Sequence, residues 1–492
     1  MEENRSIEDM PLKDKIEYCT GKDFWHTKAM PEYGIESIKM ADGPHGLRCQ
    51  CESADMLGIN DSLPATCFPA AVIAGSTWNR ELYAAEGRAI ALEGSAAGVS
   101  VILGPGCNIK RNPLCGRNFE YISEDPYLSG HMAAEFIKGV QSVDGMSACV
   151  KHFAANNQEY KRMVSDSIVD ERALREIYFA PFETAVRDGK ADSVMCSYNK
   201  INGIYSSDNK WLLTDVLRRE WGFDGTVITD WGALNDRIAA FKAGCDLNMP
   251  GGSKYMHKAT QKAIADRNLD EERVNESASR ILKLAQKGRN IKKECFDRQH
   301  HHDLAVDIAR QGAVLLKNDG NVLPLNESDT VLIGRMAIDP RYQGSGSSHI
   351  NPTRLINLSE AMPSALCFPC GDLAGNISDQ ELQQSIALAK SKKTVILAIG
   401  LPDCYESEAF DREHMSLPKD HNRLVELVAE ANENTVVLLF GGGAMELPWA
   451  DKVKAILYMG LSGQGIGEAA ADILCGRACP SGKLTEIGRA HV

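Results

Sequence analysis

Short apolar runs that end in polar or glycine-containing stretches alternate, through the first part of the chain, with segments whose apolar residues recur at helical spacing. The clearest run is Thr226-Val227-Ile228-Thr229, opened by Gly225 and closed by Asp230-Trp231-Gly232. A β-branched run of this length reads as a buried parallel strand that delivers one carboxylate to the rim of an α/β domain. Residues 99–103, 148–153 and 193–197 read the same way, and 35–40 is strand-like. Helical spacing marks 8–20, 82–97, 173–186 and 211–221, and 255–287 is rich in helix. Strand, polar loop and helix thus repeat roughly every 30 to 50 residues, which is the rhythm of a parallel barrel with its site at the strand ends.

A second pattern follows. A helix at 305–316 leads to short strands at 330–333, 394–399, 435–440 and 455–458, joined by helices or loops. The predicted fold class is therefore α/β, a (β/α)8-like barrel domain followed by an α/β sandwich domain. The expected boundaries are 1–288 for the barrel, 289–302 for a charged linker and 303–485 for the sandwich. A length of 492 residues agrees, because it exceeds what one core usually organises.

Composition narrows the functional classes. With 43% hydrophobic and 25% charged residues the chain reads as an ordinary soluble protein. A net charge of -13 offers no footprint for nucleic acid and suits a small neutral substrate. No run reaches the length of a membrane span, and the polar start Met1 to Ser6 lacks the apolar core of a secretion signal. The 15 cysteines, scattered singly or in loose pairs such as Cys49 and Cys51, read as reduced thiols, and the expected location is cytoplasmic. His300-His301-His302 reads as a polar helix start without the carboxylate spacing of a metal site. Gly344-Ser345-Gly346-Ser347-Ser348 lacks the Gly-Lys-Ser/Thr ending of a phosphate loop. No metal and no cofactor are expected.

The candidate chemistry sits at strand ends. Asp42, before Gly43-Pro44, is a turn residue or a carboxylate that accepts bonds from hydroxyls. Lys151 and His152 stand side by side before Asn156 and Asn157, and a strand end can turn both toward one pocket. The loop carrying Arg111 and Arg117 is a clamp or a plain surface loop. Tyr198 closes another strand, and Glu406-Ser407-Glu408 offers carboxylates in the second domain.

Seven segments in order resemble the β-glucosidase type of glycoside hydrolase family 3 over nearly the whole chain. They are Asp42-Gly43-Pro44, Gly116-Arg117-Asn118-Phe119-Glu120, Lys151-His152-Phe153, Met195-Cys196-Ser197-Tyr198-Asn199, Thr229-Asp230-Trp231, Gly344 to Ser348, and Glu406-Ser407-Glu408-Ala409-Phe410-Asp411-Arg412. The resemblance implies a cleft site between the two domains, with Asp230 as nucleophile. It implies that Asp42, Arg117, Lys151, His152, Arg162, Met195 and Tyr198 hold the terminal sugar, with Trp231 as an aromatic wall. Glu406 is the expected acid/base and Glu408 the alternative, because two acids two residues apart cannot be told apart by spacing. The implied reaction is release of the non-reducing terminal β-D-glucosyl residue with retention. Xylosides, arabinofuranosides and galactosides are alternative substrates, phosphorolysis is an alternative reaction, and an inactive sugar-binding protein is the alternative of another class.

Two departures from the family qualify the resemblance. Ala154-Ala155-Asn156-Asn157 follows Lys-His-Phe where the branch with a His-Asp dyad has a Gly-His-Gly loop, which argues against an N-acetylglucosaminidase. After Pro480 to Thr485 the chain ends Glu486-Ile487-Gly488-Arg489-Ala490-His491-Val492, which reads as translated sequencing adapter. The expectation is a truncated gene with an artefactual tail over 486–492.

Overall fold

A computed structural model describes residues 7–50, 54–55 and 58–487. The expectations placed on Met1 to Ser6, on Cys51 and on 488–492 lie outside them. Two compact units emerge, one of 1–63, 80–109 and 125–296, the other of 64–79, 110–124 and 297–492.

In the first unit β1 (Met40–Asp42), β2 (Val101–Leu103), β3 (Ser147–Phe153), β4 (Ser193–Cys196) and β5 (Thr226–Thr229) pair in that order, all parallel. Every residue of the five strands is buried, as expected of parallel strands covered on both faces. The described pairings give five strands and not a ring of eight, while bridges from Thr20 to Asn248 and from Ile228 to Leu247 extend the sheet beyond β5. The strand expected at 35–40 shrinks to β1. Ile35 and Ile38 pack into the core, but that stretch makes only isolated bridges, Met30 to Ile35 and His26 to Lys39. The helix expected at 211–221 is a π-helix over Trp211–Glu220.

The second unit is a three-layer sandwich. Its strands are β6 (Val314–Asn318), β7 (Thr330–Ile333), β8 (Leu366–Phe368), β9 (Thr394–Gly400), β10 (Thr435–Phe440) and β11 (Ala455–Gly460), in the order β8-β7-β9-β10-β11-β6. Only β6 runs antiparallel to its neighbour. Side chains alternate across this sheet. Val395, Leu397, Ile399, Val437 and Leu439 share one core with Leu424, Val425 and Val428 of the helix Lys419–Ala431. Ile396, Ala398, Val436 and Leu438 share the other with Val306 and Ala309 of the helix Arg298–Gly312 and Ala469 of Ile466–Leu474.

Expected boundaries at 288 and 303 treat the domains as consecutive pieces, whereas 64–79 and 110–124 group with the second unit. The reason is burial, since Ala70, Val72, Ile73 and Phe119 belong to the same core as β9 and β10. The helix starting at Arg298 also takes up part of the expected linker.

His421 on the helix Lys419–Ala431 is buried, with its Nδ1 3.1 Å from the Gly400 carbonyl oxygen. Burial pulls its pKa down to about 4, opposed by that carbonyl and by Asp420 and Asp372. An unfolded histidine titrates near about 6.5, so between those values the unfolded chain binds more protons than the folded one. Stability is therefore complete above about pH 6.5 and is lost as pH falls toward 4. Denaturant melts at pH 7.5 and pH 5 should show wild type losing about 2 kcal/mol more than His421→Gln. Equal losses in both proteins would remove His421 as the cause.

Candidate functional site

In the first unit the candidate residues gather where the parallel strands end. Asp230 directly follows β5, is 7% exposed, and accepts a 2.7 Å hydrogen bond at Oδ1 from the Trp231 N–H. Its own N–H donates to the Cys196 carbonyl at the end of β4. His152 Nε2 lies 3.7 Å from Asp230 Oδ2. The backbone of His152 is fixed on both sides by Asn108, which accepts from its N–H and donates to its carbonyl.

Asp42 ends β1 and is held from two directions. Arg48 Nη1 donates to its Oδ2 at 2.9 Å, and Lys151 Nζ stands 3.7 Å from its Oδ1. Arg48 is only 1% exposed, and its Nη2 donates to the Asp55 carbonyl. Two buried cations, Arg48 and Lys151, thus face the Asp42 carboxylate.

The wall beside the nucleophile is aromatic. Trp231 donates its indole N–H to the Phe24 carbonyl, and its ring centroid lies 5.6 Å from that of Trp25 and 6.4 Å from that of Phe24. Tyr198 donates its hydroxyl to the Trp231 carbonyl at 2.9 Å, and the Arg162 guanidinium sits 4.8 Å from the Tyr198 ring centroid. Arg162 is tied in turn to buried Glu159 at 2.7 Å. Met195 is buried in the same core as Trp25 and Trp231 and supplies packing rather than a polar contact.

The remaining candidates belong to the second unit. Arg117 pairs with Glu120 through Nε and Nη2, each at 2.7 Å, and its Nη1 lies 3.6 Å from Glu408 Oε1. Glu408 Oε2 accepts from the Ser347 N–H at 2.7 Å, so the Gly/Ser stretch cradles a carboxylate of its own chain. Gly346 has φ +100°, and a Cβ there would collide with the Glu408 side chain, which makes glycine the fitting residue. Glu406 is the more enclosed acid, 1% exposed against 6% for Glu408. Its Oε1 accepts from the Gly442 N–H at 2.6 Å and lies 3.7 Å from Arg341 Nη1, while Arg341 Nη2 donates to its carbonyl. The segment is docked by Asp411, which accepts from the Gly116 N–H, and by the Arg412 N–H, which donates to the Leu114 carbonyl.

Asp42, Lys151, His152, Arg162, Met195, Tyr198, Asp230 and Trp231 therefore lie in one unit, and Arg117, Glu406 and Glu408 in the other. Arg48, Trp25, Phe24 and Arg341 went unassigned in the sequence reading. Arg48 was within reach of it, as a lone arginine six residues past Asp42 in the same turn-rich segment. Arg341 carried no such signal, because its partner Glu406 is 65 residues away. His302 is bound to Glu468 and Gln464, and among the described residues no cluster of three His, Cys, Asp or Glu could hold a metal ion. Cys367-Phe368-Pro369-Cys370 is a Cys-x-x-Cys pair, against the expectation that the chain holds none, and burial pushes the Cys370 thiol up to about 11.

Residues 35–284 match the glycosyl hydrolase family 3 N-terminal domain, and residues 313–487 match the family 3 C-terminal domain. The chain is 51% identical over 491 residues to thermostable β-glucosidase B of Acetivibrio thermocellus, covering 98% of this chain and 65% of that protein. It is 43% identical to an exo-α-(1→6)-L-arabinopyranosidase of Bifidobacterium longum, covering 98% of this chain and 66% of that one. The chain thus spans about two thirds of the length of these relatives, 65% of the first. Among solved structures, a family 3 β-glucosidase of Bifidobacterium adolescentis superposes with a TM-score of 0.92 at 41% identity, covering 98% of this chain and 71% of that one.

Proposed function

Because the chain belongs to glycosyl hydrolase family 3, we propose that it is a retaining exo-β-glucosidase with Asp230 as nucleophile and Glu408 as acid/base. The observation that carries this reading is the strand-end carboxylate of Asp230, oriented by the Trp231 N–H and accompanied by Asp42, Arg48, Lys151 and His152. An acidic side chain fixed through one oxygen is aligned for attack on an anomeric carbon. Asp42 accepts bonds from sugar hydroxyls, and Lys151 and His152 donate to them, so binding energy from the remote hydroxyls positions the ring. Trp231 and Trp25 offer an apolar face to the sugar's C–H groups.

In the first step the Asp230 carboxylate bonds to the anomeric carbon, and the aglycone oxygen leaves with the proton of the acid. In the second, the same residue, now a carboxylate, takes a proton from water as that water displaces Asp230. Two facts favour Glu408 over Glu406 for this proton. Glu406 is enclosed and committed to the Gly442 N–H and Arg341, whereas Glu408 is the more accessible acid and stands beside Arg117, an expected sugar ligand.

A panel of nitrophenyl glycosides tests the substrate. The β-D-glucoside should be hydrolysed with the highest kcat/KM, and the first-formed sugar seen by NMR should be the β-anomer. An α-L-arabinopyranoside at the head of the panel would favour a second reading, an exo-α-L-arabinopyranosidase, which the 43% identical relative supports. No turnover of any glycoside would sink both. No described helix is long and apolar enough to cross a membrane, and the described cysteines form no disulfide. The reduced thiols support a cytoplasmic location.

A further inference from the structure

We infer that the second unit carries a separate binding pocket for a neutral, monosaccharide-sized polyol. It lies in the crevice at the carboxyl ends of β7 and β9. From β7 the chain moves to β8 on one side and then to β9 on the other, so the loops leaving β7 and β9 diverge. In an open parallel sheet, that reversal of strand order is where ligands bind.

A cavity of about 190 Å³ occupies this place, walled by the loops after β7, β8 and β9 and by His421. Its volume is below the usual range for drug-sized ligands and suits one small ring.

The wall chemistry is mixed. Arg335 pairs with Asp339 at 2.5 Å, and Arg341 pairs with Asp403, so each cation is matched by a carboxylate and no excess positive charge awaits an anion. Arg341 is 6% exposed, and its Nη1, 3.7 Å from Glu406 Oε1, makes no hydrogen bond among the described residues. His421 gives its Nδ1 proton to the Gly400 carbonyl, which leaves Nε2 as an acceptor. Alternating donors and acceptors match hydroxyls, which are both. Met336, Leu355 and Leu373 supply apolar surface for C–H groups. Arg341 also donates to the Glu406 carbonyl, so the pocket wall and the acidic segment share one side chain.

The inference does not rest on the hydrolase reading, and hydrogen exchange separates the two. With the full chain and D-glucose as probe, peptides spanning 335–342 and 371–377 should gain protection. That protection should require about tenfold more glucose in Arg335→Ala, and should be lost in Leu373→Trp. Leu373 is 69% exposed, so the indole fills the crevice without disturbing the core. Protection confined to peptides around Asp42, Lys151 and Asp230 would overturn the pocket while leaving the hydrolase reading intact. Protection by inorganic phosphate but not by glucose would overturn it as well.

Discussion

Asp230→Ala should abolish hydrolysis of 4-nitrophenyl β-D-glucoside, lowering kcat by at least about 10⁴-fold, or ~5 kcal/mol of transition-state stabilisation. The loss is large because no neighbouring group can replace the attacking carboxylate. His152 stands 3.7 Å away, is no carboxylate, and is held by Asn108 on both sides of its backbone. Thermal stability should change little, since Asp230 is at a strand end and outside the ladder. A folded variant that keeps wild-type kcat would end the assignment of Asp230, and sodium azide that restores turnover with inversion would strengthen it, because the small anion enters the space left by the carboxylate.

Glu408→Gln and Glu406→Gln should separate the two acids by leaving group. An acid is needed when the departing oxygen is basic, so Glu408→Gln should lose about 10² to 10⁴-fold on alkyl and sugar aglycones. With 2,4-dinitrophenyl β-D-glucoside the first step should remain close to wild type. The slow second step should then accelerate with azide, which needs no general base. Glu406→Gln should show a different pattern. Removing its charge beside Arg341 weakens the loop, with an expected stability cost of about 1–3 kcal/mol, while the dependence on leaving group stays that of wild type. If the leaving-group pattern appears in Glu406→Gln and is absent in Glu408→Gln, the roles are the reverse of those proposed.

The strands were legible in the chain because burial on both faces leaves an unbroken apolar run. Val395 to Ile399 and Val436 to Phe440 are examples, and both are buried along their full length. The segments 64–79 and 110–124 were not legible as parts of the second unit. Their apolar residues look the same whichever core they enter, and only tertiary packing puts Ala70, Val72 and Phe119 with β9 and β10. The short strand β1 was blurred for the opposite reason, since Ile35 and Ile38 are buried without being in a ladder.

For the site, the sequence by itself determined which residue types stand at which strand ends. It identified Asp230 after β5, Asp42 at the end of β1 and the Lys151-His152 pair on β3, because strand termination is a local event written in adjacent residues. It put Glu406 ahead of Glu408, the reverse of the proposal made from the structure, since two acids at positions of the same parity differ only in their surroundings. The tertiary structure distinguished those surroundings by bringing Gly442 and Arg341 to one carboxylate and Ser347 and Arg117 to the other. It also supplied Arg48 as a partner of Asp42 and Trp25 as a partner of Trp231. Hydrogen bonds and ion pairs between distant segments are set by how the sheet and loops pack, and that information is not contained in any one stretch of the chain.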